Sequence, residues 1–521
     1  MAHRCTTQID RLAAPAESGQ ALIWPNESLD TLAERNRAAL SSCSATIGGR
    51  TISQWRSDFL GDESRIMTGH QPAFFHPGVW AKNIAAATCK GQAVFLMVDS
   101  DQSGGISLNW PVVRHGACSE GQTSALPAAS PLSFEQLPPL TTDSAQKLWQ
   151  SLPEALRKTP FVSVFQCAYI DSTENDHVSR WKNAMMATEV DLGITGIQYE
   201  RLSDDFSFAR RKSDPSASFV AEVLLNAERF ADCYNTALRT YRQRRDIPGH
   251  DHPIPNLSLT KAWIEVPFWL LGASSPRRRM FVLASSAERI HIRSGDEQVG
   301  EIAVSELRKN PVRCLRETLS EWRIRPRALA TTMYSRLLAC DLFIHGIGGA
   351  KYDQITDDIM RSYFGIEPPV YSCVTATLRL ALPHSGFDSL ALANLHHRRR
   401  DLRFNPQRFS EHIVSPEALV RREAAIAESE RLRNHEPSAH SKRRATYEEI
   451  LKANALVLQD PEAISEDLSK TLEVLQAQAA SDRVANGREW FWCMHDRDAL
   501  TRLIAAVRSR SPLAANRPDA P

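Results

Sequence analysis

The run Ala93–Val98 is apolar at every position and is bounded by Gly91 and Asp99. A strand that is polar on neither face is buried on both, the situation of a strand inside a parallel sheet covered by helices. Parallel neighbours need long crossover connections, so the flanking chain must supply strand–loop–helix units. Directly upstream it does so. Arg65–Gly69 is short and apolar with a glycine stop, Gln71–Gly78 is a loop rich in proline and glycine, and Val79–Cys89 reads as a helix with Trp80, Ile84 and Thr88 on one face. These pieces predict one βαβ unit. Pro326–Leu380 repeats the logic. Ala328–Ala339 reads as a helix, Asp341–His345 as a short apolar strand, Gly346–Gly349 as a glycine loop, and Gln354–Phe364 as a helix stopped by Gly365. Tyr371–Leu380, rich in Val, Thr and Cys, reads as the next strand.

The fold class expected is therefore α/β. With 521 residues the chain exceeds one ordinary core, and two or three folded units are expected at roughly 100–200 residues each. Residues 1–62 read as a mixed leader with a helix near Leu29–Ala39, 119–160 as a long loop or insertion boundary, and 175–245 as helical, notably Ser218–Tyr241. Trp263–Leu271 is strongly apolar around Glu265, Met280–Ala284 reads as a strand, and Ile290–Val304 as a hairpin. After His384 the composition shifts. Pro416–Asn434 and Ala445–Ala480 suit long amphipathic helices, forming an antiparallel hairpin or short coiled coil, and Trp490–Val507 suits a final helix. The division expected is a core over 1–395, with insertions at about 120–325, and a helical region over 396–521.

A net charge of +1 gives no global attraction to nucleic acid or an anionic membrane, so neither is expected as a partner. The ten cysteines form no CxxC pair, which suits reduced thiols. No apolar run approaches the ~20 residues that span a bilayer, and Met1–Pro15 lacks a signal-peptide core. Cytoplasmic residence is the expectation.

Three constellations carry candidate chemistry. The first is Thr68, Gly69, His70, Gln71 and Pro72, continuing to His76, Gly78 and Lys82. A loop leaving the carboxyl end of a strand and entering a helix is where α/β sheets bind ligands. Gly69 permits a tight turn, and the helix start near Gly78 offers N–H groups to an anion. Lys82 adds charge, and His70 or His76 could transfer a proton. The bland reading is a loop with two surface histidines. The second is Asp99-Ser100-Asp101-Gln102, where Asp99 and Asp101 suit a substrate amine, a hydroxyl or a magnesium ion; helix capping fits equally. The third is Ile344 to Asp353, with His345 at its start. Gly346, Gly348 and Gly349 let backbone N–H groups approach a ligand, while Lys351, Tyr352 and Asp353 add polar groups. Neither the dinucleotide fingerprint nor the P-loop spacing is present. Arg325 and Arg327 flank Pro326 as candidate anion contacts, and Arg277–Arg279 reads as a solvated turn. No H-E-x-x-H, G-x-S-x-G or clustered Cys/His set occurs, so no metal motif is expected.

Taken in order, Thr68-Gly69-His70-Gln71-Pro72 with Lys82, Arg325–Leu329, Gly348–Ile355 and Thr375–Leu378, followed by a helical C-terminal region, resemble the bacillithiol-biosynthesis cysteine-adding enzymes. The resemblance implies a Rossmann-like, nucleotidyltransferase-type core with connecting-peptide insertions and a C-terminal coiled coil that supports a homodimer. It implies a ligase that forms a C–N bond by joining cysteine to the amine of glucosaminyl-malate. Lys82, Gly348, Gly349 and Arg325 fall on matching positions. His70 stands where that family has glutamine, Asp99–Gln102 stands for an E-D-H-D segment, and Lys351 stands where glutamate is frequent. Two rival expectations follow: a nucleotide-dependent transferase on another small amine or acid, and a non-catalytic dimeric scaffold with a relict pocket. A nucleotide is the cofactor class left open.

Overall fold

Five parallel strands and one antiparallel edge strand build the main sheet of the computed structural model, in the spatial order Gln20–Trp24, Ser372–Thr377, Leu342–His345, Arg65–His70, Gln92–Met97, Ile197–Arg201. The structure describes residues 8–126, 131–208, 214–249, 252–260, 262–284 and 288–510. The chain divides into two compact units. The first comprises Met1–Trp110, Gln122–Leu380 and Arg488–Pro521, and the second Pro111–Gly121 and Ala381–Gly487.

The apolar run that opened the sequence argument sits inside this sheet. Val94, Phe95, Leu96 and Met97 are buried, each such large side chain adding about 1.5–3 kcal/mol through removal from water. From Arg65–His70 the chain moves outward through Gln92–Met97 to Ile197–Arg201. It then returns to the other side of Arg65–His70 for Leu342–His345 and Ser372–Thr377. The winding direction thus reverses between Arg65–His70 and Leu342–His345.

A second sheet is antiparallel, in the order Glu297–Ala303, Arg289–Ser294, Arg278–Ala284, Ile264–Leu271, Arg323–Pro326. The helices Pro215–Leu225 and Ala227–Arg244 join the two sheets through one core that includes Met67, Leu96, Phe219, Phe230, Phe268 and Met280. Helix Pro77–Ala87 and the final helix Arg497–Arg510 pack together. Nearby, Trp80 and Trp492 stack face to face at 4.2 Å.

Several expectations need correction. The 119–160 stretch is not a loop: the hairpin Ile106–Arg114 and Ala117–Leu126 runs into it, and the helices Thr142–Gln150 and Glu154–Arg157 follow. Thr141 caps the first of these through the Ser144 N–H, and Pro153 stands at the N-cap of the second. Gln20–Trp24 and Ile197–Arg201 are strands the sequence reading passed over. Both lie at sheet edges, where a side chain need not be apolar on both faces. The stretch 445–480 is two helices, His440–Val457 and Pro461–Ala485, separated because Asp460 caps the second through Ala463 N and Pro461 takes its first position. The glycine loop 346–349 is the first turn of helix Ile347–Ile359.

In the second unit, Pro416–His435 and His440–Val457 pack against each other, and Ser389–Phe404 packs against Pro461–Ala485. Leu395, Phe409, Val457, Leu458, Leu468 and Leu472 form its apolar centre. The last helix, Arg497–Arg510, belongs to the first unit and not to this helical one. Among the described residues, no helix is long and apolar enough to cross a membrane.

Candidate functional site

In open α/β sheets, ligands sit outside the carboxyl ends of the strands where the winding reverses. Here that point lies between Arg65–His70 and Leu342–His345, which pair in parallel with Thr68 opposite Ile344. Thr68 Oγ1 donates to the Ile344 carbonyl at 3.1 Å and ties the two strands together. A cleft of about 450 Å³ opens here, lined by Gly69, Asp101 and His345 from the main sheet and by Trp269, Arg277, Arg279 and Arg327 beside it. A larger cleft of about 560 Å³ lies beside Ile197–Arg201, away from the reversal. Two of its arginines are already neutralised, Arg65 by Glu200 and Arg201 by Asp176. The smaller cleft is the candidate.

The first loop is held rigidly from three directions. His177 Nε2–H donates to the Pro72 carbonyl at 2.8 Å, Trp181 Nε1–H to Ala73 at 3.1 Å, and Trp492 N–H to Phe75 at 3.1 Å. Burial pushes His177 down to about 4, so its ring is neutral and its Nδ1 accepts from the Tyr169 hydroxyl at 2.7 Å. His70 is likewise pushed down to about 4, first by burial and then by Lys82, and its Nδ1–H donates to the Gln71 carbonyl at 3.1 Å.

His76 does not serve as the mobile proton donor that the sequence suggests. Its Nδ1 accepts from Gly78 N–H at 3.0 Å, its carbonyl accepts from Val79 and Trp80, and its Nε2 meets Glu489 at 3.0 Å. The ring caps helix Pro77–Ala87, so that helix start has no N–H left for an anion. Lys82 is buried, and its ammonium donates to the Gly69 carbonyl at 2.7 Å. Among the described residues no carboxylate pairs with it. Burial pushes it down to about 8.

Asp99 and Asp101 part company. Asp99 is fully buried and accepts from Ser203 N–H at 3.0 Å and Ser203 Oγ–H at 2.6 Å. Burial, with Glu135 nearby, pushes its carboxyl up to about 6. It caps the short helix Leu202–Asp205 and offers the cleft nothing. Asp101 lines the cleft, accepting from Gln71 Nε2 and from Arg277 Nη1, the latter at 2.5 Å.

At the second loop, Gly346 is the N-cap with no side-chain partner, and Gly348 and Gly349 are exposed. Lys351 is half-buried on the second turn; Tyr352 is exposed and its ring faces Tyr241 at 6.4 Å. Asp353 points inward. Arg336 Nη1 donates to it at 2.6 Å, Thr332 Oγ1 at 2.6 Å and His345 Nε2 at 2.9 Å. Against the effect of burial, Arg336 and His345 hold its carboxyl well below the usual range.

The two arginines around Pro326 exchange importance. Arg325 is fully committed to Glu135, through Nε at 2.7 Å and Nη2 at 2.8 Å, and to the carbonyls of Phe206 and Ile324. Arg327 lies one residue past the strand, at the N-cap of helix Ala328–Tyr334, and lines the cleft. Its guanidinium lies 4.5 Å from the Trp269 ring centroid, and that of Arg277 lies 4.7 Å from it. Arg327 pairs with buried Glu265 at 2.6 Å, which Arg279 meets at 3.5 Å. Three guanidiniums face two carboxylates, Glu265 and Asp101, so the wall carries an excess positive charge.

Sequence reasoning placed His345 in the third constellation without a role, missed Trp269 as a site residue and read Arg277–Arg279 as solvated. A basic turn leading out of an apolar strand that carries a tryptophan was the available signal. Among the described residues, no three His, Cys, Asp or Glu side chains gather as a metal site would require. No family model matches the chain, and no curated protein matches it.

Proposed function

We propose that the chain is an enzyme on a Rossmann-like, nucleotidyltransferase-type core, a ligase forming a C–N bond between a small amine and an acid, akin to the addition of cysteine to glucosaminyl-malate. The observation that carries this reading is the cationic wall of Arg277, Arg279 and Arg327 around Trp269 at the point where the sheet reverses its winding. A cleft walled by guanidiniums favours a small substrate with carboxylate or phosphate groups. Asp101, held by Gln71 and Arg277, adds a carboxylate to the same wall, suited to a substrate amine. Residence in the cytoplasm and a homodimer joined through the second unit belong to the same reading.

A thermal-shift screen with cysteine, malate, amino sugars and nucleotides tests the site. A ligand at about 100 times its Kd adds ~2.7 kcal/mol, and Arg277→Gln, which lies on a partly exposed pair, removes that gain while leaving the fold intact. Stabilisation by nucleotide alone turns the reading toward a transferase. No stabilisation by any of them refutes the enzymatic reading.

A further inference from the structure

His345 closes its strand and lines the cleft. Its Nε2 lies 2.9 Å from Asp353 Oδ2, and Asp353 is kept ionised by Arg336 at 2.6 Å. A carboxylate accepts only, so Nε2 carries the proton and Nδ1 carries the lone pair. No hydrogen bond reaches Nδ1 among the described residues. Gly349, exposed in the first turn of the following helix, lies against that edge of the ring. A Cβ at position 349 would come within 2.8 Å of Nδ1, so glycine is what leaves this nitrogen uncovered.

The other neighbours of the ring are Arg336 from helix Ala328–Tyr334 and its continuation, Lys82 from helix Pro77–Ala87, and the rings of Tyr371 at 5.1 Å and Phe343 at 4.6 Å. Burial first, then Arg336 and Lys82, lower the proton affinity of the imidazole against the pull of Asp353.

We propose that His345 is the proton acceptor of the cleft, with Asp353 as the positioning residue that fixes its tautomer, and that a doubly charged anion binding beside it is coupled to proton uptake at Nδ1. This rests on the cleft being the ligand site. The coupling follows from linkage: if the anion favours the imidazolium, protonation favours the anion equally. The residue thereby selects for a fully ionised substrate group near neutral pH.

Inorganic sulfate is the probe, because it stays a dianion from pH 5.5 to 8 and any proton taken up belongs to the protein. At constant ionic strength, the full-length protein should bind sulfate more tightly at pH 5.5 than at pH 8, by up to the tenfold that one pH unit of displacement in His345 corresponds to. His345→Gln should bind with no such dependence. Nitrogen-15 histidine spectra of the unmodified protein give a second readout that needs no variant: the His345 ring should show the Nε2-protonated tautomer at neutral pH. The Nδ1-protonated tautomer, or an equal pH dependence in His345→Gln, overturns the proposal. Arg277→Gln separates this from the parent reading. If sulfate binds to it as before, the cleft is not the site and both fall. If binding is lost while the unmodified protein binds without pH dependence, the cleft stands and the role of His345 falls.

Discussion

Glu189 offers the most exacting test of how the site-bearing helix is held. Its carboxylate is buried and accepts from Trp80 Nε1 at 3.1 Å, Asn83 Nδ2 at 2.9 Å and the Tyr199 hydroxyl at 2.6 Å. Three donors stabilise the charged form, yet burial outweighs them and pushes the group from 4.5 up to about 7. A group raised on folding contributes fully below its unfolded value and loses that contribution as pH rises through its folded value. At 1.36 kcal/mol per pH unit the whole effect is about 3 kcal/mol, of which about 2–3 kcal/mol falls between pH 5 and pH 8. Glu189→Gln keeps the shape and an acceptor for Trp80 and Asn83 but does not titrate. Guanidinium unfolding followed by circular dichroism at matched ionic strength should show the variant gaining on the parent by that amount from pH 5 to pH 8. Curves that stay parallel across this range would refute the reasoning, since the burial penalty would then not be borne by Glu189.

Two further substitutions separate structural from functional roles among the residues singled out by sequence. Arg325→Met leaves buried Glu135 with only Arg323 at 3.6 Å and should cost about 3 kcal/mol in the same unfolding assay, whereas a solvated arginine would cost less than ~1 kcal/mol. His76→Ala should lose about 1 kcal/mol through the missing cap, largely restored in His76→Asn, with ligand-induced thermal shifts unchanged in both; a loss of ligand response in His76→Asn returns the residue to the site.

The parallel core was legible because its signals are local. Ala93–Val98 needs burial on both faces, and Gly365 ends its helix at a φ of +69°, as its position promised. The strand Ile197–Arg201 was not legible, because Gln198, Glu200 and Arg201 are tolerable only at an edge, and edge position is a property of the assembled sheet. The same distinction runs through the site. That the loops at Thr68 and Gly346 end strands could be read from sequence. That Asp99 would be consumed by Ser203, His76 by Gly78 and Arg325 by Glu135 depends on partners from 2 to 190 residues away. Polar residues at strand ends advertise chemistry and capping in the same alphabet, and only the partner decides which.

Thr68 and Ile344, the pair that joins the two halves of the main sheet, are 276 residues apart. During synthesis at roughly 5–20 residues per second, the segment Arg65–Met97 must therefore wait on the order of tens of seconds for its inner neighbour to emerge. Over that interval the strand Arg65–His70 presents an unpaired row of backbone donors and acceptors, in a stretch whose Ile66 and Met67 finish buried. Chains interrupted before residue 342 should thus be far more prone to self-association than their length or charge suggests. The architecture that brings the two loops together also makes the nascent chain dependent on protection while it is incomplete.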